Sequence, residues 1–187
     1  MPTTRWETRD PADPVIAQNL VRELGISALL ASLLTSRDIT DPGEADHFLH
    51  PRLASLPDPL ATPGLEAAAR RIALAVERGE NVVLYGDYDV DGVTSLAIMH
   101  RFLAAHGLEA GWFLPLRESE GYGLSRDGLD RVFAARQPTL LVALDCGTGS
   151  HEEAAWLAAR GVDLVISDHR EPKHGAAPCA ALVNSIL

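Results

Sequence analysis

Residues 81–101 read NVVLYGDYDVDGVTSLAIMHR, and this stretch decides how the chain is read. Val82, Val83, Leu84 and Tyr85 make an apolar run of strand length and β-branched character. Asp87, Asp89 and Asp91 follow, then Gly92 and a segment with helical spacing. The pattern predicts a strand over 81–86, an acidic loop, and a helix over 93–105. If the loop keeps the extended period of two, the three carboxylates project to one side and converge. Ionised carboxylates that close repel one another; protonation, wide solvation or a cation can relieve them, and a cation is the expectation here. D-x-D-x-D-G also opens an EF-hand loop, but the twelfth position, which needs a bidentate Glu, is Ile98, and a strand rather than a helix precedes the loop. An acidic turn without a ligand is the other alternative.

Working outward, the chain alternates. A helical repeat from 64 to 78 ends at Gly79, a good residue to stop a helix. Beyond the acidic loop come a short strand at 110–114, a loop rich in Gly and charge at 115–125, a helix at 126–136 and a strand at 139–144. A helix at 150–160, a strand at 162–167 and a last short strand at 180–183 complete the series. Such alternation predicts an α/β fold, a mostly parallel sheet flanked by helices. Ligands in such sheets collect at the carboxyl ends of the strands. The polar clusters fall there: Asp87, Asp89 and Asp91 after the first strand, Asp145-Cys146-Gly147-Thr148-Gly149 after the third, and Asp168-His169-Arg170 after the fourth. That coincidence favours a metal site over an acidic turn.

Toward the N-terminus, apolar positions at helical spacing over 14–36 are interrupted at Gly25-Ile26-Ser27, a stop followed by a new start. A third helix begins at Asp41-Pro42. The Pro-rich run 51–63 is a connector. The expected division is a helical leader with its connector over 1–62 and an α/β domain over 63–187.

The 187 residues are 47% hydrophobic and 22% charged, a globular composition, and no apolar stretch approaches membrane-spanning length. The polar N-terminus and two cysteines, Cys146 and Cys179, fit a cytoplasmic, reduced setting. A net charge of −10 weighs against a simple nucleic-acid-binding module. It does not exclude an enzyme acting on phosphates, because carboxylates that hold divalent cations present a locally positive site.

Several Asp with one His and no thiolate suit Mn²⁺ or Mg²⁺, with the imidazole favouring Mn²⁺. Four or five such ligands can hold two ions about 3.5–4 Å apart and serve metal-assisted phosphoryl hydrolysis. Gly86, Gly92, Gly147 and Gly149 allow backbone to approach a phosphate, and helix N-termini at Val93 and Ser150 point N–H groups the same way. A dinucleotide fingerprint starting at Gly147 fails because Glu152 stands where its third glycine is required. His47, His50, His100 and His106 fall on predicted helices away from this edge; only His169 is placed to be a ligand.

The motifs YGDYDVDGVTS at 85–95, EGYGLS at 120–125, LDCGTGS at 144–150 and SDHREP at 167–172 resemble those of the DHH phosphoesterase superfamily, and within it the RecJ single-strand-specific exonucleases. The leader and FLHPRLASLPDPL at 48–60 are similar too. The resemblance implies that Asp89, Asp91, Asp145 and His169 are catalytic and bind metal, with Asp87 a ligand or close supporter, Asp145 bridging, and Asp168 supporting. It implies Mn²⁺- or Mg²⁺-assisted hydrolysis of single-stranded DNA from the 5′ end, in recombination and repair. Arg170, Arg117, Gly147 and Gly149 are the candidates for phosphate and substrate binding.

Two departures bear on the chemistry. The third motif reads DHR where the family reads DHH, and a guanidinium clamps phosphate but is no acid, base or metal ligand. The sequence also stops just after Val183-Asn184, where RecJ proteins continue with a further metal-binding aspartate, a second lobe and an OB-type domain. The expectation is therefore a first catalytic lobe, with residues that grip DNA lying elsewhere. Two alternatives compete: a DHH phosphodiesterase of short oligonucleotides or cyclic dinucleotides, and a catalytically degenerate binding or scaffold subunit of a replication or repair assembly.

Overall fold

A computed structural model of the chain describes residues 13–116, 123–171 and 175–186. It divides into two compact units, 1–57 and 58–187, the break falling inside the Pro-rich connector.

Among its described residues the first unit holds three α-helices whose ends are written in the sequence. α1 (Pro14–Leu24) is capped by the Asp13 carboxylate, which accepts from the Val15 N–H, and ends at Gly25 in the left-handed region. α2 (Ala28–Thr35) and α3 (Pro42–Leu49) are capped in the same way by Ser27 and Asp41. Leu20, Ala31, Leu34 and Ala45 close a small core among them.

The second unit is a five-stranded parallel sheet. In chain order it runs α4 (Leu65–Arg78), β1 (Val82–Gly86), α5 (Val90–Ala105), β2 (Gly111–Phe113), α6 (Arg126–Ala135), β3 (Leu140–Leu144), α7 (His151–Ala158), β4 (Asp163–Asp168) and β5 (Ala181–Asn184). The strand order is β2-β1-β3-β4-β5. Side chains alternate between faces, as the strand period requires. Val83, Tyr85, Leu141, Ala143, Leu164 and Ile166 pack with Leu129 and Val132 of α6 and Leu157 of α7. Val82, Leu84, Val142, Leu144 and Val165 meet Ala68 and Ala75 of α4 and Leu96 and Leu103 of α5. This second face is incompletely covered: an apolar groove of about 680 Å³ runs between α4 and α5 down to Val142 and Val165.

At the amino ends of the strands, Arg71 of α4 joins Glu80 at 2.7 Å and Asp163 at 2.6 Å. Glu80 also accepts from the Thr139 hydroxyl. At the carboxyl ends the chain departs from β1 in opposite directions: α5 leads to β2 on one side, and β3 lies on the other. A crevice opens between strands at such a switch point.

The structure shifts one expected boundary with consequences for the site. α5 begins at Val90 rather than residue 93, because the Asp89 carboxylate caps it, accepting from the Asp91 and Gly92 N–H groups. The acidic loop therefore does not continue the extended period of two.

Candidate metal centre

The ladder of the sheet runs one residue past the strands. The Asp87 N–H donates to Leu144 O and the Asp145 N–H to Ser167 O, at 3.2 and 2.8 Å. Both aspartates are thereby fixed at the switch point between β1 and β3. Asp87 is fully buried and Asp145 is 5% exposed. Asp145 has φ 63°, a left-handed conformation uncommon outside glycine, Asn and Asp, held here by the surrounding sheet. Gly92 makes room for the turn: a Cβ there would stand 2.4 to 2.7 Å from the backbone of Asp87.

Asp87, Asp89 and Asp145 each offer a carboxylate oxygen within 4.8 Å of the others. Asp91 does not join them. It lies exposed in the first turn of α5, because the helix starts at Val90 and carries its side chain away from the extended direction. His169 stands at the rim, its ring 59% exposed and Nε2 3.0 Å from Asp145 Oδ1. Arg170 reaches into the middle. Its Nη2 lies 3.1 Å from Asp87 Oδ2, 3.6 Å from Asp89 Oδ2 and 3.5 Å from Asp145 Oδ2.

The two oxygens of Asp145 are buried and receive no hydrogen bond of good geometry, although His169 and Arg170 stand near them. An orphaned carboxylate of this kind is costly to bury. Burial first, then the neighbouring Asp89 carboxyl, pushes Asp145 up to about 6. Burial likewise raises Asp87. Asp89 goes the other way, held below its ordinary value first by the Gly92 N–H. Asp89 and Asp145 thus shift in opposite directions, as two neighbouring acids in different surroundings do. Three carboxylates with two bare, buried oxygens fit a hard divalent cation with oxygen ligands.

Asp168 supports the site from behind. Its Oδ2 accepts from the Thr148 N–H and hydroxyl, at 3.1 and 2.7 Å, and its Oδ1 from the N–H groups of His169 and Arg170. It thereby locks the loop after β3 to the loop after β4. Asn184, 2% exposed at the end of β5, completes the lock by donating to Thr148 Oγ1 and to the Arg170 carbonyl. Sequence reasoning gave neither Thr148 nor Asn184 a role; a polar residue closing an apolar strand was the available signal.

Gly147 has φ 106° and packs against Ala143 and Ile166, so its glycine character is required by the turn. Gly149 faces open space. The N–H groups expected to point from the start of α5 toward a phosphate are taken by Asp89. Ser150 precedes α7 without making a side-chain cap. Arg126 and Arg131 of α6 lie over the rings of Trp156 and Phe113. Arg117, Lys173 and residues 120–122 of the EGYGLS motif lie outside the described residues.

Comparison with known proteins matches residues 81–187 to the DHH family, N-terminal domain. The single-stranded-DNA-specific exonuclease RecJ of Bacillus subtilis is 36% identical over 168 residues, covering 90% of this chain and 21% of the relative. RecJ of Thermus thermophilus is 37% identical over 135 residues, covering 72% and 19%. The chain thus spans about a fifth of the length of these curated relatives. Among solved structures, an exonuclease RecJ bound to manganese superposes with a TM-score of 0.64 at 34% identity, over 73% of this chain and 34% of that one. RecJ of Thermus thermophilus in complex with Mn²⁺ gives 0.66 at 27% identity, over 93% and 24%.

Proposed function

The chain belongs to the DHH family, and from that premise we propose that it is the metal-holding lobe of a RecJ-like nuclease, hydrolysing single-stranded DNA from the 5′ end in recombination and repair. The observation that carries this reading is the buried, hydrogen-bond-orphaned carboxylate of Asp145 beside Asp87 and Asp89 at the switch point of the sheet. Relatives and solved neighbours that are RecJ exonucleases, some with Mn²⁺, support it.

Asp87, Asp89 and Asp145 would hold Mn²⁺ or Mg²⁺, with His169 at the open rim and a second ion in the intact site. A divalent ion so held polarises a phosphoryl oxygen and acidifies a bound water toward neutral pH. The residues of this chain supply the rest. Asp168 and Asn184 hold the two loops in register, Asp89 ties the cluster to α5, and Arg170 brings a permanent positive charge to the carboxylate cluster. Gly147 and Gly149 line the same loop, and Arg117 is a further candidate for the substrate. Single-stranded DNA is the proposed partner and the cytoplasm the proposed compartment.

The test is a hybrid in which this chain replaces the matching stretch of the Bacillus subtilis relative. It is expected to release nucleotides from the 5′ end of single-stranded DNA when Mn²⁺ is present, and to lose that activity on Asp145→Ala. A folded hybrid that binds DNA without cutting it would instead favour a binding subunit. The observation on that side is Arg170, whose guanidinium already neutralises part of the cluster.

A further inference from the structure

Arg170 does not clamp a single carboxylate. One nitrogen, Nη2, lies 3.1, 3.6 and 3.5 Å from oxygens of Asp87, Asp89 and Asp145, side chains brought together from the ends of two strands. A guanidinium nitrogen has two hydrogens, so it cannot satisfy three carboxylates, and only the contact with Asp87 has the geometry of a hydrogen bond. What it offers all three is charge. The three carboxylates it neutralises are the same three whose oxygens converge within 4.8 Å.

We infer that Arg170 is a tethered counter-cation, occupying the carboxylate cluster in the metal-free chain and leaving it when a divalent ion binds. The inference rests on the metal-dependent reading above and adds a step to it. A divalent ion and a guanidinium a few ångströms apart repel one another, so the two do not share the cluster comfortably.

The structure lets the arginine leave without disturbing the loop. Its backbone is pinned at both polar groups, the N–H to Asp168 and the carbonyl to Asn184. Its side chain is 27% exposed, with Nε 4.0 Å from Asp168 Oδ1, and a change of rotamer carries Nη2 away from the cluster. A guanidinium never deprotonates, so it cannot abandon the cluster by losing charge; it has to move. Metal binding is thereby opposed by a built-in competitor, and occupancy of the cluster by the ion presents the guanidinium outside it.

The experiment is calorimetric titration of Mn²⁺ into this chain and into Arg170→Gln and Arg170→Ala, with Asp145→Ala as the variant lacking the site and circular dichroism to confirm folding. Both arginine variants are expected to bind Mn²⁺ about tenfold more tightly than the parent, the equivalent of removing a modest repulsion. A second measurement needs no substitution: labelling of arginines by a dicarbonyl reagent, read by mass spectrometry, is expected to be slow at Arg170 without Mn²⁺ and faster with it. Equal or weaker binding by folded variants, or Arg170 labelling that Mn²⁺ leaves unchanged, overturns the inference while the metal site stands. Absence of Mn²⁺ binding in the parent and both arginine variants overturns the inference together with the metal-dependent reading.

Discussion

At position 145 an aspartate combines a left-handed backbone, near-complete burial and two oxygens that receive no hydrogen bond of good geometry. Each feature opposes folding, and a bound cation would answer the last two. Asp145→Asn keeps the shape, tolerates the same backbone, and removes the buried charge. We predict that it stabilises the metal-free chain by about 1–3 kcal/mol in urea denaturation and abolishes Mn²⁺ binding. The same residue sets a pH dependence. With its folded value raised to about 6 from an ordinary value near 4, Asp145 binds more protons in the folded than in the unfolded chain across that window. Stability without metal is therefore predicted to fall as pH rises from about 4 to about 6, read as the urea midpoint, and Asp145→Asn should flatten the slope. Asp87, also raised, acts in the same direction. Asp89 is lowered, so its contribution is present above its unfolded value and is lost as pH falls through its folded one. Asp87 and Asp145 could be found in the sequence because each directly follows an apolar strand. The position of the Arg170 guanidinium could not, because it depends on side-chain rotation within a cluster assembled from distant strands.

The turn from β1 into α5 carries most of the site's order. Gly92 permits the helix start to sit against the backbone of Asp87, where any Cβ would collide with main-chain atoms. Gly92→Ala is predicted to destabilise the chain by about 2–3 kcal/mol and to weaken Mn²⁺ binding, measured by denaturation and calorimetry. At the other end of the sheet, Arg71 is 15% exposed and ties α4 to Glu80 and Asp163. Arg71→Met is predicted to lower stability by about 1–3 kcal/mol and leave Mn²⁺ affinity unchanged, since the two networks lie at opposite ends of the strands. The strands and helices were legible because apolar runs and amphipathic repeats alternate cleanly along the chain. The start of α5 was not, because Asp89, Asp91 and Gly92 suit either an extended acidic loop or a capped helix. The choice falls to which carboxylate finds the free N–H groups. Asp91 stands in the first turn of α5, apart from the three converging carboxylates, for that reason. The groove beside α4 and α5 was equally illegible: the spacing of apolar residues tells which face a helix buries, not how far apart two helices lie.

For the molecule as a whole, acidity dominates. With a net charge of −10 this chain presents little to attract a polyanion, and we predict that fluorescence anisotropy will find no binding of single-stranded DNA tighter than about 100 μM at physiological salt. A tighter value would place the strand-gripping surface here. The parallel sheet has one more consequence, in time rather than in space. No two paired strands are joined by a hairpin, so every rung waits for a crossover to be completed. β1 is made early, yet its pairing with β3 needs the chain to reach Leu144, and β5 arrives last of the five. Asn184, which pins the Arg170 carbonyl and Thr148, is on that last strand. The strands that carry the aspartates are therefore made before the strand that fastens the loop bearing Arg170.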